Sequence, residues 1–253
     1  MTLIQSAVLG IIEGLTEFLP ISSTAHLILA SRLFNLETSE YLKSFEISIQ
    51  LGAIFSVIFL YWKTLIHGWE INKKIVVAFI PTAIIGLIFY RIVKDILLTN
   101  YLFSVYSLLI GGALLIVFEL FNKDDGAEKL DDITYGKAFA IGFFQSISII
   151  PGVSRAAATI IGGMLLGIRR KTAVEFSFLL AIPTIAAAVG LDLLNSVGSF
   201  TKSDFIYLII GFLVSFISAM ASIKLLLRFI QKNNFIPFGV YRIILALSFL
   251  FLL

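Results

Sequence analysis

The chain has 253 residues, of which 59% are hydrophobic and 14% are charged, and its mean hydropathy is +1.02. Soluble domains carry about 25% charged residues, so this composition excludes an ordinary water-soluble enzyme and predicts an all-α integral membrane protein. The net charge is +3 and cysteine is absent. No nucleic-acid partner is therefore expected, and the chain has neither a disulfide framework nor thiolate chemistry.

Six apolar stretches are long enough to be transmembrane helices, since about 20 residues of helix cross a bilayer. They cover 45–62, 75–91, 101–121, 174–194, 205–224 and 236–253. Two further apolar segments, 3–34 and 136–168, are interrupted by Pro20 and Pro151 beside small polar residues. Each half of these segments is too short to cross, and irregular backbone at membrane depth needs protein or a polar cavity around it. We therefore predict two re-entrant helical hairpins.

The chain also repeats itself at a spacing of 129 to 135 residues. The matching pairs are Gly10 with Gly142, Ser22 with Ser154, Glu46 with Glu175, and Tyr106 with Tyr241. This pattern predicts a single membrane domain, 1–253, built from repeats at about 1–122 and 134–253. Each repeat would hold one hairpin and three spans, and three is odd, so the second repeat has inverted topology. Chance similarity between apolar helices is the alternative.

Lysine and arginine are distributed unequally between the two sides that this topology creates. One side has thirteen, namely Lys63, Lys73, Lys74, Lys123, Lys129, Lys137, Arg169, Arg170, Lys171, Lys224, Arg228, Lys232 and Arg242. The other side has five, namely Arg32, Lys43, Arg91, Lys94 and Lys202. Because basic residues accumulate on the cytoplasmic side, both termini and the mouth of the first hairpin are predicted to lie outside.

Four ionisable residues lie in the interior of the two broken segments, away from the segment ends: Glu13, Glu17, His26 and Arg155. Each costs about 2.5–3.5 kcal/mol at the bilayer centre, so each is a functional hypothesis. Glu13 and Glu17 share one helical face. They are interpreted as the ligands of a divalent cation, or one of them as the group that orients or deprotonates a nucleophile. A structural pairing of a glutamate with Arg155 is the alternative.

Small polar residues follow each proline at the position where the next helix begins. Ser22, Ser23 and Thr24 follow Pro20, whereas Gly152, Ser154, Arg155 and, one turn later, Thr159 follow Pro151. Helix N-termini suit phosphate, and inverted repeats would point two of them at each other. The pattern predicts phosphoryl transfer, with Ser23 or His26 as nucleophile and Arg155, Ser154, Gly152, Thr159 and Ser22 as phosphate-binding residues.

Purely structural explanations also exist for several of these residues. Ser22 and Thr24 are explained by helix capping alone, and Thr159 by helix packing. We expect Ser23, His26 and Arg155 to lie within about 10 Å of one another, as a pyrophosphate held between two helix N-termini requires. Glu13 and Glu17 are expected to line the same cavity.

Two motifs carry a resemblance to a known family. Glu13-Gly-Leu-Thr-Glu17-Phe-Leu-Pro-Ile-Ser22-Ser23-Thr24-Ala-His26 and Pro151-Gly-Val-Ser154-Arg155-Ala-Ala-Ala-Thr159 resemble the signatures of bacterial undecaprenyl-pyrophosphate phosphatases of the bacitracin-resistance type. The resemblance covers essentially the whole chain. It implies hydrolysis of the lipid pyrophosphate to undecaprenyl phosphate, which recycles the cell-wall lipid carrier. We therefore expect a multi-pass protein of the bacterial inner (plasma) membrane, and the outward mouth of the first hairpin predicts that its site opens to the outer face.

The resemblance also implies roles for individual residues. The acidic pair maps onto Glu13 and Glu17, with Mg²⁺ or Ca²⁺ as cofactor. The motif serine and histidine map onto Ser23 and His26, and the phosphate-binding residues onto Ser154, Arg155 and Thr159. The family usually has serine where this chain has Ala156, so one hydroxyl of the second motif is missing.

A transporter or flippase of a lipid phosphate or small anion is the second hypothesis, because inverted repeats with broken helices are also transporter architecture. The combination of Ser23, His26 and two glutamates beside Arg155 favours the enzyme, since a carrier needs only the anion-binding arginine. The expected partners are a polyprenyl pyrophosphate and the bilayer. Monomer and homodimer both remain open.

Overall fold

The computed structural model describes residues 1–37, 39–93, 97, 101–124, 126–196 and 204–252. Two of the basic residues counted above, Lys94 and Lys202, lie outside these ranges. Within them the chain is almost entirely helical. The helices are α1 (Leu3–Thr16), α2 (Ser23–Leu33), α3 (Glu40–Leu60), α4 (Trp62–His67), α5 (Trp69–Ile92), α6 (Tyr101–Phe121), α7 (Tyr135–Ser146), α8 (Arg155–Leu165), α9 (Arg170–Ser196), α10 (Asp204–Phe229) and α11 (Ile236–Leu252).

Five helices in the described ranges are long and apolar enough to cross a membrane: α3, α5, α6, α9 and α10. This agrees with a multi-pass membrane protein. The sixth predicted span, 236–253, corresponds to α11, which has only 17 residues and is about 26 Å long at 1.5 Å per residue. The described part of the chain therefore has five helices of full spanning length where the sequence predicted six.

Several helices begin or end beyond the predicted apolar stretches. The third helix starts at Glu40, where the Ser39 Oγ accepts a hydrogen bond from the Leu42 N–H at 3.1 Å. A helix continues through charged residues until a cap satisfies its free backbone groups, whereas a hydropathy pattern stops at the first charge. The short helix α4 was not predicted for the same reason, because it lies in a polar connection.

The two interrupted segments form short helices on either side of a break. In the first, α1 with 14 residues and α2 with 11 are separated by residues 17–22, the first break. In the second, α7 with 12 residues and α8 with 11 are separated by residues 147–154, the second break. An 11-residue helix is about 16 Å long, which is half of the roughly 30 Å hydrocarbon layer. The members of each pair pack against each other.

Each break ends in a serine with left-handed backbone. Ser22 has φ of 71° and Ser154 has φ of 76°, and each side chain accepts a hydrogen bond from the amide three residues later. Non-glycine residues rarely adopt this conformation, and they retain it only where the surrounding structure over-determines it. These two serines are the pair that the repeat alignment matched, so the same local strain occurs at both breaks.

Helices from the two halves of the chain interleave. The first helix, α1, packs on α10, and α7 packs on α5. Gly10 and Gly142 allow these contacts, because a Cβ at Gly10 would lie 2.6 Å from the Gly211 carbonyl oxygen and one at Gly142 would overlap the Ala78 carbonyl. The largest buried apolar cluster surrounds both breaks and includes Phe18 and Phe178, whose rings meet edge to face at 5.2 Å.

One basic residue does not lie where the charge count placed it. Arg242 was assigned to the basic side, yet it is fully buried within α11. The count on the basic side therefore falls from thirteen to twelve, which still exceeds the five on the other side. The buried guanidinium belongs to the site described next.

Candidate active site

A cavity of about 540 Å³ lies where the two breaks meet. Six of the nine predicted site residues line it: Glu17, Ser22, Ser23, Gly152, Ser154 and Arg155. Glu13, His26 and Thr159 do not line it. Most of the remaining wall is apolar and comes from α5, α9 and the second break, with Phe79, Leu87, Ile149, Ile185 and Ala188 among its residues. The cavity thus has a polar end at the breaks and a mainly apolar body, which also includes Asp192 of α9.

The Glu17 carboxylate connects the two breaks. Its Oε2 accepts a hydrogen bond from the Ser23 hydroxyl, and its Oε1 accepts one from Arg155 Nη2 at 2.9 Å. The side chains of this ion pair are 7% and 10% exposed for Glu17 and Arg155. A hydroxyl and a guanidinium are therefore held on opposite oxygens of one buried carboxylate. The breaks also touch directly, since Ser154 Oγ donates to the Leu19 carbonyl at 3.5 Å.

The Arg155 guanidinium is fixed from two sides. Its Nη1 donates to the Ser177 carbonyl at 2.7 Å, and its carbon lies 5.7 Å from the centre of the Phe18 ring. Its Nε has no hydrogen-bond partner among the described residues. A planar guanidinium held on a cavity wall with spare N–H capacity suits a phosphate oxygen.

Glu13 lies one helical turn before Glu17 and behind it. The side chain is fully buried and interacts electrostatically with Glu17 and Arg155. Neither of its carboxyl oxygens has a hydrogen-bond partner in the described part of the chain. The expectation that Glu13 lines the cavity wall is not met, because the preceding helical turn places it deeper in the protein.

A divalent cation could coordinate carboxylate oxygens that have no hydrogen-bond partner and lie beside a second carboxylate. The described residues contain no group of three or more histidine, cysteine, aspartate or glutamate side chains that could hold a metal. Glu13 and Glu17 would therefore be the protein ligands, with substrate phosphate and water as further ligands. Mg²⁺ is commonly bound in this way. The residues present fit such an ion.

His26 is held away from the cavity. Its Nδ1 lies 2.7 Å from the Ser22 carbonyl oxygen, which can only accept, so the proton is on Nδ1. Its Nε2 then accepts a hydrogen bond from the Tyr241 hydroxyl at 2.8 Å, and the two rings stack at 5.6 Å. Because helical neighbours three residues apart face the same side, His26 remains next to Ser23 while both of its nitrogens are engaged.

Thr159 and Ala156 pack inside the protein. The Thr159 hydroxyl lies 2.6 Å from Ser177 Oγ and also donates to the Arg155 carbonyl at 2.9 Å, so it supports the helix that carries Arg155. Ala156 is fully buried in the apolar cluster and does not line the cavity. The serine that the resemblance leads one to expect there would add no hydroxyl to the cavity wall in this conformation.

Arg242 is a site residue that sequence reasoning missed. The guanidinium donates to the Pro20 and Gly152 carbonyls at 3.2 and 2.9 Å. It also donates to the carbonyls of Val153 and Ser107, at 3.1 and 3.0 Å. One side chain thus ties both breaks to α6. The sequence does indicate this residue, because Arg242 falls inside the predicted span 236–253, where any arginine is a candidate functional residue. For Ser177 and Tyr241 no sequence signal indicated a contact.

Replacing Arg242 is expected to destabilise the protein strongly. Arg242→Met would leave four buried carbonyl groups without their donor, and unsatisfied buried groups cost about 1–3 kcal/mol each. We expect the free energy of unfolding in detergent to fall by more than about 3 kcal/mol. The matched control is Arg169→Met, whose 47%-exposed side chain pairs with Glu128 and should cost less than about 1 kcal/mol. Equal losses in the two variants would contradict the assigned role of Arg242.

Comparison with known proteins identifies the family. A family model described as bacitracin resistance protein BacA matches residues 6–248. A relative from Sulfurihydrogenibium sp. (strain YO3AOP1), named undecaprenyl-diphosphatase, is 50% identical over 251 residues and covers 98% of each chain. Relatives of the same name from Persephonella marina and Aquifex aeolicus are each 50% identical, over 99% and 98% of this chain and 98% of their own lengths. The chain therefore belongs to the BacA family of bacitracin resistance proteins.

Proposed function

We propose that this chain is an undecaprenyl-diphosphatase and that hydrolysis takes place in the cavity between the two breaks. Relatives of that name match the chain at about half identity over nearly its full length. The observation that carries the site assignment is the Glu17 carboxylate, which holds the Ser23 hydroxyl and the Arg155 guanidinium. A lipid-phosphate carrier would need the guanidinium but not a hydroxyl bound to a carboxylate.

Ser23 is the proposed nucleophile. The hydroxyl lines the cavity and already donates to a carboxylate that can accept its proton, as nucleophilic catalysis requires. Its oxygen would bond to the terminal phosphorus while the bridging P–O bond breaks and undecaprenyl phosphate leaves. In this first step Glu17 would accept the Ser23 proton. Water would then attack the phosphoserine phosphorus, Glu17 would return its proton to the serine oxygen as that P–O bond breaks, and the two protons of the water would remain on the released orthophosphate. His26 has both ring nitrogens engaged, which favours a supporting role beside Ser23.

Substrate phosphates would bind where the two helices begin. The N-termini of α2 and α8 open at Ser23 and Arg155, beside Ser22, Gly152 and Ser154 on the cavity wall. Free amide groups and the helix dipole attract anions at such positions, and Arg155 adds a full positive charge. The apolar body of the cavity would hold the first part of the prenyl chain.

A divalent cation, Mg²⁺ or Ca²⁺, would be held by Glu13 and Glu17 together with the pyrophosphate. It would supply positive charge against the developing charge on the phosphate oxygens. The orphaned oxygens of Glu13 support this proposal, since a buried carboxylate without a partner is costly.

For the membrane arrangement, we propose six spans, α3, α5, α6, α9, α10 and α11, and two re-entrant hairpins, α1–α2 and α7–α8, as an inverted repeat. A 17-residue helix is at the short end of spanning length, which still admits α11. The reciprocal packing of α1 on α10 and of α7 on α5 supports the repeat. Twelve basic residues on one side against five on the other favour a plasma-membrane protein whose site opens to the outer face.

The catalytic assignment is tested by phosphate release from undecaprenyl pyrophosphate with purified variants. Ser23→Ala should lower kcat by at least about a thousandfold, because the nucleophile is lost. Arg155→Lys keeps the charge but loses the planar guanidinium with its paired N–H donors, so kcat/KM should fall at least about tenfold. The control Arg169→Lys should change little. A Ser23→Ala variant that retains turnover while His26→Ala abolishes it would make His26 the nucleophile.

The metal assignment is tested by titrating Mg²⁺ and Ca²⁺ into chelator-treated protein. Glu13→Gln removes a ligand charge, so the cation concentration for half-maximal activity should rise at least about tenfold. Gln145→Ala, at the repeat-related position in the other half, is the control and should leave the titration midpoint unchanged. A lower rate with an unchanged midpoint for Glu13→Gln would mean that Glu13 acts without a metal.

The topology is tested with reporter fusions, because the proposed arrangement places both termini outside and residues 122–137 inside. A phosphatase reporter that is active only outside should be active at the C-terminus and silent when inserted after Asp132. A cytoplasmic C-terminus would contradict the six spans and, with them, the inverted repeat.

A further inference from the structure

A second cavity of about 480 Å³ lies beside the first. It is formed by the C-terminal half of α2, residues 35–37, the N-terminal half of α3 and Tyr101 of α6. Its wall combines apolar residues with the polar residues Ser31, Arg32, Asn35, Lys43 and Glu46. Neither the proposed reaction steps nor the family motifs use these five residues, so the cavity has no assigned role.

The two cavities share part of their walls. Thr24, Ile47 and Gln50 line both, so a layer of single side chains separates them. Thr24 follows the proposed nucleophile Ser23 directly along the chain. A small ion leaving the reacting phosphorus therefore has only this layer between it and the second cavity.

The proposed reaction makes two products that need different exits. Undecaprenyl phosphate carries a long apolar chain and can leave along the apolar body of the first cavity into the bilayer. Orthophosphate is a small anion, and moving such a charge through hydrocarbon is prohibitively costly. It therefore needs a route to water that offers polar partners, and the second cavity has charged, amide and hydroxyl side chains in its wall and adjoins the reacting end.

Two cations lie in the second cavity. The Arg32 guanidinium carbon is 4.0 Å from the centre of the Tyr101 ring, and among the described residues Arg32 forms no ion pair. Lys43 pairs with Glu40 at 3.1 Å, and its side chain is 14% exposed. Arg32 is thus held by an aromatic face while its N–H groups remain available, which suits a phosphate ion.

A carboxylate lies nearer to the shared layer. Glu46 is one helical turn before Gln50, and it accepts a hydrogen bond from Ser31 Oγ at 2.5 Å. Glu37 lines the same cavity, so its wall carries two carboxylates as well as two cations. A phosphate ion would therefore bind at the Arg32 guanidinium, which is held by an aromatic ring and not by a carboxylate of the described residues.

We propose that the second cavity binds orthophosphate and releases it to water, separately from the lipid product, with Arg32 and Lys43 as its binding residues. The use of this site as a product exit rests on the proposed function. The binding of orthophosphate does not, because it can be measured without any hydrolysis.

The binding experiment uses radiolabelled orthophosphate and the purified full chain in detergent without lipid substrate. We expect two classes of site. The double variant Arg32→Gln/Lys43→Gln should weaken one class at least tenfold, and Arg155→Gln should weaken the other. The single variant Arg32→Lys, in which Lys43 is unchanged, should bind orthophosphate almost as well as the original chain. Weak binding by the double variant would then reflect lost charge and not misfolding. The control pair Lys63→Gln/Arg169→Gln should bind like the original chain. A single class that Arg155→Gln removes, or no binding at millimolar phosphate, would overturn the proposal.

The kinetic experiment uses a substitution that narrows the second cavity and leaves the wall of the first cavity unchanged. Ile28 lines only the second cavity, so Ile28→Trp should leave the single-turnover rate of lipid cleavage unchanged. Its steady-state rate should fall at least tenfold, with a burst of undecaprenyl phosphate preceding slow phosphate release. Ile28→Ala, which keeps the cavity open, should show neither change. Equal effects of Ile28→Trp on both rates would overturn the exit role, whereas an original chain without turnover would contradict the proposed function instead.

Discussion

The Arg242 guanidinium donates four hydrogen bonds to backbone carbonyls of the two breaks and of α6. A broken helix leaves carbonyl groups without intrahelical partners, and hydrocarbon offers no water to satisfy them. Pro20 and Gly152, two of its acceptors, occupy positions that the repeat alignment pairs. A single arginine thus satisfies equivalent groups of both breaks and fixes their separation. The starts of α2 and α8, which directly follow the breaks, are thereby held near each other.

The two breaks share a backbone conformation but differ in chemistry. Ser22 and Ser154 have the same left-handed φ, whereas the residues after them are Ser23 and Arg155. The Glu17 carboxylate joins this unlike pair, and its counterpart in the repeat alignment is Ile149. Because a buried carboxylate is tolerable only when it is paired, Glu17 and Arg155 depend on each other. Neither half of the chain contains a complete site, so the site exists only at the contact between them.

Much of this arrangement could be predicted from the sequence. Hydropathy located the long helices, and the two prolines located the breaks, because both depend on local composition. The position of Glu13 behind the cavity and the engagement of His26 by Tyr241 could not be predicted, since they depend on helix rotation and on a contact between residues 215 positions apart. Arg242 was misassigned because a charge near a predicted loop was counted as exposed, although its place inside an apolar helix indicated burial.

Several buried polar atoms at the candidate site have no protein partner among the described residues, namely both carboxyl oxygens of Glu13 and the Nε atoms of Arg155 and Arg242. Next to the second break, Gln145 Oε1 and the hydroxyl of Ser104, which packs on Gly152, are also unpartnered. The Glu13 oxygens and the Arg155 nitrogen lie beside the Glu17 carboxylate, where a cation and an anion would arrive together. If every charged group at the site already had a protein partner, an ion pair would have to break before a ligand could bind. The proposed cation and phosphate would instead supply the partners that the Glu13 oxygens and the Arg155 nitrogen lack, so their binding would offset the cost of burying these groups unpaired.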